Sequence, residues 1–232
     1  MSRAVWDDVG ERRYETGTDR GMLYPMKDDG TYDKGVVWNG LTTVTETPEG
    51  GETNDIYADN IKYLSLIGTE SFGGTIEAYN YPEEFEKCDG TADITVGVKA
   101  GQQTRKAFGF AYRTRLGNDV AGNEFGYKLH LVYSAKANPS SRSYTTINES
   151  PEAITFSWEF KSTPTPFKKR TDLKPVSLIT IDSTKVDSAK LKQLEDLLYG
   201  VDADPEHSIE AADPTFPTPD QVVALFNAEV VG

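Results

Sequence analysis

Cysteine and histidine are nearly missing from this sequence. Among 232 residues there is one Cys, Cys88, and two His, His130 and His207. A lone Cys closes no internal disulfide, which fits a reducing compartment. One thiol and two imidazoles far apart in the chain give no four-ligand structural zinc site. Cations are short as well: 24 Lys and Arg stand against 37 Asp and Glu, a net charge of −13. A dedicated nucleic-acid binder needs a cation for each phosphate it neutralises, so this balance argues against one. No apolar run approaches a membrane span, and Met1–Tyr14 has no apolar centre like a signal peptide's. These absences predict a chain without a membrane span, made in a cytoplasm.

Catalytic signatures are missing too. There is no Gly-x-Ser-x-Gly elbow, phosphate loop or dinucleotide fingerprint. Gly68–Gly74 holds glycines but runs into a strand pattern, so it presents no helical amides to a phosphate. Asp28-Asp29-Gly30 with Asp33 lacks calcium-loop spacing and reads as a turn. Glu83, Glu84 and Glu86 read as acids at a helix start, where the dipole favours them. No catalytic, cofactor-binding or metal-ligating residue is expected, and the chain is read as a non-enzyme.

What is there is aromatic and alternating. Twelve Tyr, ten Phe and three Trp suit strands and subunit contacts, and the length allows a sizeable core. Phe108, Phe110 and Tyr112 share one side of Phe108–Arg115; Phe125, Tyr127, Leu129 and Leu131 share one side of Glu124–Ala135. With Gly117–Asn123 between them, the two runs predict a β-hairpin. His130 falls opposite that apolar side and reads as a solvated strand histidine. Further strands are predicted at Gly21–Met26, within Gly35–Leu41, and at Leu41–Thr47, Ile61–Leu66, Phe72–Tyr81, Ala92–Val98, Ala153–Lys161 and Pro175–Asp182. A long loop, Thr53–Asn60, precedes Ile61. Arg105, Lys106, Arg113, Arg115 and Lys128 lie on or beside the hairpin and are read as partners for salt links between subunits.

Helices are few. Pro82 suits a first helical turn and Gly90 a stop, giving a helix near 82–89. Asp187 or Ser188 caps a second near 187–199, with Leu191, Leu194, Leu197 and Leu198 on one face and Gly200 beyond its end. Asp202–Pro217 is acidic and proline-bearing and reads as a tether, followed by a short helix, Pro219–Asn227. The expected organisation is an arm and first strand at 1–34, a β-rich domain at 35–200, and an acidic tether with a helical arm at 201–232. Strands followed by helices exclude alternating βαβ units.

Several segments together resemble the major tail (tail tube) proteins of siphophages. They include Gly35-Val-Val-Trp-Asn-Gly-Leu-Thr-Thr-Val44, Tyr57-Ala-Asp-Asn-Ile-Lys-Tyr-Leu64 and the run from Phe72 to Phe85. Gly101–Thr114, Gly126–Tyr133, Ser150–Trp158, Leu178–Thr184 and the Leu191–Gly200 helix continue the likeness over nearly the whole chain. The resemblance implies a mainly β (α+β) subunit, sandwich-like or barrel-like, with a flanking helix, a long loop and terminal arms. It implies hexameric rings stacked into a tube that carries viral DNA in transit. Implied partners are further copies of the chain, a tape measure protein, a tail terminator and tail-tip proteins. Its place would be the virion, and no cofactor is implied. On this reading Thr53, Asn54, Asp55, Ile56, Tyr57, Ala58, Asp59 and Asn60 are the candidate ring-to-ring loop. Thr42, Thr43, Thr45, Glu46 and Thr47, with part of Gly101–Arg115, are the candidate lumen-facing strands, and an acidic lumen would repel phosphate. The alternatives are another tail or injection-system tube component, or a carbohydrate-binding β-sandwich stacking sugars on Trp38 and Trp158.

Overall fold

The computed structural model describes residues 4–147, 149, 152–204, 207 and 210–227. In chain order the elements are β1 (Arg13–Pro25), β2 (Val36–Trp38), β3 (Leu41–Glu49), β4 (Thr53–Ala58), β5 (Ile61–Ile67) and β6 (Ser71–Ala78). Then come α1 (Glu86–Asp89), β7 (Ala92–Thr95), β8 (Val98–Ala100), β9 (Phe108–Asn118), β10 (Gly122–Ala137), β11 (Phe156–Ser162), β12 (Leu178–Asp182), α2 (Ser188–Tyr199) and α3 (Pro219–Asn227). The chain is mainly β. Eight strands form one sheet in the order β2-β1-β9-β10-β11-β6-β3, with β12 also on β10.

The sheet divides at β10. Lys128–Val132 pair with β12, whereas Ala135–Ala137 pair with β11. Between them stands Ser134, in the left-handed region at φ 45°. Side chains on the two faces of β1, β9 and β10 enter different cores. Trp38, Phe85, Phe108, Phe110, Trp158 and Phe160 belong to one, between this part of the sheet and the β3–β6–β11 part. Leu129, Leu131, Tyr133, Leu191, Leu194, Leu198 and Phe216 belong to the other, covered by α2 and residues 212–226. α2 starts where Asp187 Oδ1 accepts from the amides of Ala189 and Lys190, both at 3.0 Å; Leu191, Leu194 and Leu198 face the sheet, whereas Leu197, expected on the same face, is 42 % exposed.

Burial on both faces corrects the reading of His130. It is only 7 % exposed, because Leu129 and Leu131 point into one core while His130 points towards the other. The polar stretch before Gly21 is also strand: Arg13–Asp19 pair with β9 across a register broken at Gly17. Thr53–Asn60 is not a loop. Its first six residues are β4, joined to β5 by Asp59 and Asn60, with φ 51° and 64°. Ala92–Val98 is likewise not one strand; β7 and β8 fold back at Gly97, φ 76°.

The end of the expected tether Asp202–Pro217, from Ala212 on, lies against the body. Val201 and Ala212 form a two-way backbone bridge at 2.9 Å, Gly35 N–H donates to Pro214 O at 2.9 Å, and Thr215 N–H donates to Leu197 O at 2.7 Å. Phe216 and Val222 are buried, at 6 % and 4 % exposure. Residues 1–3 and 228–232, the ends of the two expected arms, fall outside the described residues.

Candidate assembly surfaces

Register decides which residues of β3 face outward. Thr43 stands opposite Glu77 and Glu77 opposite Ser157; Thr45, Thr75 and Glu159 form the next row. Thr47, Gly73 and Lys161 follow, and Glu49 stands opposite Ser71. Since strand side chains alternate, this face presents hydroxyls, carboxylates and one amine, and no apolar side chain. The amine is engaged: Lys161 Nζ lies 3.0 Å from Glu49 Oε2. The opposite face holds Val44, Ile76, Trp158 and Phe160 in the first core. Among the described residues β3 pairs with β6 alone, leaving its other edge without a strand partner.

The five candidate lumen residues therefore part company. Thr43, Thr45 and Thr47 lie on the polar face. Thr42 sits at a bulge, its hydroxyl buried without a partner among the described residues. Glu46 turns inward to a polar cluster that ties β3 to β1, β9 and β10. Tyr112 O–H donates to Glu46, and the Tyr112 ring stacks on His130 at 4.6 Å with 5° between planes. His130 Nδ1 lies 3.2 Å from Glu46 Oε1, off hydrogen-bond alignment, and Nε2 lies 2.9 Å from Thr114 Oγ1. Glu15 accepts from Thr114 O–H and from Lys128. Asp19 binds Arg113 through Nε at 2.6 Å and Nη2 at 2.8 Å, and Arg115 at 3.0 and 3.1 Å.

These contacts fix the charges. The His130 imidazole holds the Glu46 carboxyl below its ordinary range, helped by Tyr112 and opposed by burial. Arg113 does the same for Asp19. Burial raises Glu15, but Lys128 and Thr114 outweigh it and the net shift is downward. Arg113, Arg115 and Lys128, read as links between subunits, thus have partners within their own chain, and so does Lys106, 2.9 Å from Asp28. Sequence reasoning missed Glu15, Asp19 and Tyr112 as a group, since only strand register brings them together.

β4–β5 is attached through Gly50 and Gly51, at φ 93° and 75°; a Cβ on Gly50 would come within 2.4 Å of Thr69 O. Its side chains are largely uncovered. Tyr57 is 67 %, Ile61 64 %, Tyr63 68 % and Ile67 75 % exposed.

Elsewhere the chemistry is quiet. Burial pushes the Cys88 thiol up to about 12, far from the thiolate that reactive cysteines need. Asp29 takes both the amide and the hydroxyl of Thr31, making 28–33 a turn. Trp38 and Trp158 are 2 % and 1 % exposed, so neither offers a face to a sugar.

Fold and surface together define a mainly β protein with exposed hairpins and a sheet-edge strand, β3, unpaired on one side among the described residues. The chain belongs to the phage tail tube protein family, whose model matches residues 25–205. Among solved structures it is similar to a chain of the sixfold-symmetrised cryo-EM structure of the anti-feeding prophage baseplate. That match has 9 % identity and a TM-score of 0.36, covering 78 % of this chain and 97 % of that one. It is similar also to a chain of the extracellular contractile injection system PVC sheath–tube complex in the extended state. Here identity is 14 % and TM-score 0.30, covering 70 % of this chain and 88 % of that one. No curated protein matches the sequence.

Proposed function

We propose that this chain is the tube subunit of a siphophage tail, closing into hexameric rings that stack around a channel for the genome. The observation that carries the reading is the outer face of β3, β6 and β11, which bears hydroxyls and carboxylates and no apolar side chain in a chain of the tail tube family. Such a face suits the wall of an aqueous channel. The open edge of β3 supplies unpaired N–H and C=O groups for a neighbouring copy, and closure of a ring removes that edge. β4 with its turn, Thr53–Asn60, would tie one ring to the next. In this role the protein works by assembly and carries out no reaction. The tape measure protein would occupy the channel before DNA, while the terminator and tip proteins would cap the two ends.

Electron microscopy of concentrated protein, or of tails containing it, tests the reading. Stacked sixfold rings with the Thr43–Thr45–Thr47 face towards the channel are expected. A different symmetry, or this face turned outward, overturns it.

A further inference from the structure

Two exposed apolar surfaces outside the main sheet and outside the proposed channel wall are each a separate two-stranded hairpin. In β4–β5, Asn54 stands opposite Leu66, Ile56 opposite Leu64 and Ala58 opposite Ile61. Pairing across the register break at Tyr63 gathers Ile56, Ala58, Ile61, Leu64 and Leu66 on one face. The other face carries Asp55, bonded to Lys62 at 2.8 Å and to Ser65 at 2.6 Å. Ile56 is 39 %, Leu64 38 % and Leu66 52 % exposed, so the apolar face is left partly open among the described residues. In β7–β8, Ile94 is 70 %, Val98 49 % and Val96, at the turn, 101 % exposed. A lone two-stranded hairpin is marginal in water, so both gain by being covered.

Their attachment is opposed. β3 and β6 are antiparallel neighbours, and Glu49 and Ser71 at one end lead into β4–β5. Leu41 and Ala78 mark the other end, and the chain leaving Ala78 forms the buried turn around Phe85 and Cys88 from which β7–β8 departs. That departure is fixed: Gln103 N–H donates to Gly90 O at 2.9 Å, Thr91 N–H to Glu86 O at 2.8 Å, and Lys99 pairs with Glu86. A head-to-tail contact needs two different complementary patches on one subunit, and its repetition makes an open filament. Charge permits the meeting. Asp55 and Asp59 against Lys62 leave β4–β5 at −1, and Asp93 against Lys99 leaves β7–β8 at zero, in a chain of −13. Two copies can approach here without the repulsion felt elsewhere.

We propose that the apolar face of β4–β5, formed by Ile56, Ile61, Leu64 and Leu66, docks on the Ile94–Val96–Val98 hairpin of a second copy in the adjoining layer of the tube. The inference rests on the tube reading and names both halves of the contact between layers.

Cross-linking in assembled tubes tests it, with Leu64→Cys and Val96→Cys placed on separate chains. The native thiol, Cys88, is fully buried, so a short bis-maleimide reads only the introduced sites. A mixture of the two variants should give covalent dimers on assembly, and either variant alone should give almost none. Tubes that form without a mixture-specific cross-link overturn this contact and leave the tube reading standing. Efficient cross-linking of Leu64→Cys alone also overturns it, since that requires like hairpins to meet. Absence of any tube from the unaltered chain overturns the tube reading, and this contact with it. As a second measure, Leu64→Asp and Val96→Asp should each raise the concentration needed for assembly by about tenfold or more. Their unfolding midpoints should not move, because both sites lie outside the two cores; equal assembly overturns the proposal.

Discussion

Phe216 lies beyond the part of the chain that matches the family model, yet its ring sits where three tyrosines meet. Centroid distances are 4.8 Å to Tyr24, 4.8 Å to Tyr32 and 5.0 Å to Tyr133. Beneath it is Gly109, where a Cβ would come within 2.8 Å of the ring. Replacing a buried Phe by Ala typically costs about 3–5 kcal/mol, part transfer and part cavity. Residues 212–217 can settle inward to fill some of the hole, so Phe216→Ala is expected near the lower limit, about 3 kcal/mol. Against the usual margin of about 5–15 kcal/mol that is a large loss. Gly109→Ala should cost about 1–3 kcal/mol by overpacking. In the Phe216→Ala background the same change should cost much less, because the added methyl enters the vacated space. Urea unfolding of the four proteins of this double-mutant cycle measures the coupling. A Phe216→Ala loss below about 0.5 kcal/mol, the range of ordinary surface changes, refutes the placement of this segment in the core. Strict additivity with Gly109→Ala refutes the packing argument even if the loss is large.

Three further outcomes are expected. Trp38 Nε1 donates to Asn80 O at 2.9 Å, whereas Trp158 Nε1 has no partner among the described residues. Trp38→Phe should therefore cost about 1 kcal/mol more than Trp158→Phe by chemical denaturation, and the reverse order would contradict the hydrogen-bond assignment. The Glu46 and Asp19 carboxyls are held below their ordinary values of 4.5 and 3.8. A depressed folded pKa contributes stability that is present above the unfolded value and lost as pH falls through the folded one. Unfolding free energy should thus decline as pH drops below about 4.5, and Glu46→Gln should flatten that decline; unfolding scans from about pH 7 to 3 check the slope. Because Glu46 is a third exposed, the same substitution should cost no more than about 1 kcal/mol at neutral pH.

Parts of this structure were open to reading because one physical signal dominated locally. Phe108, Phe110 and Tyr112 alternate into one core, and Leu191, Leu194 and Leu198 recur at helical spacing into the other, so β9, β10 and α2 follow from periodicity. His130 defeats the same method: a strand buried on both faces gives no contrast between its sides. Arg13–Asp19 carry no period because they are held by pairing with β9, a partner about a hundred positions away. The hairpin at Thr53–Ile67 did leave a local mark. Asp59 and Asn60 are residue types that tolerate positive φ, between two runs of β-branched and aromatic residues. Acid and proline content made 201–217 read as a tether, and composition is blind to a single ring such as Phe216 finding a socket. Among the candidate lumen residues, Thr43, Thr45 and Thr47 share a face as alternation requires. Glu46 falls out of that set by parity alone.

That parity also changes what the acidity can be asked to explain. The outer face of β3, β6 and β11 carries Glu49, Glu77 and Glu159 against Lys161, a net −2 of the chain's −13. Most of the negative charge is elsewhere, so on the tube reading this face would not make a strongly acidic wall. What it brings is a face whose only cation already has a partner, Glu49 at 3.0 Å. A phosphate sticks to protein by replacing its counterions with Lys or Arg. A wall of hydroxyls, carboxylates and one amine already paired with a carboxylate would give it little to exchange for. On the tube reading, the freedom of DNA to move past this surface comes less from repulsion than from the absence of any unpaired cation, and the Lys161–Glu49 pair is the point on which that absence turns.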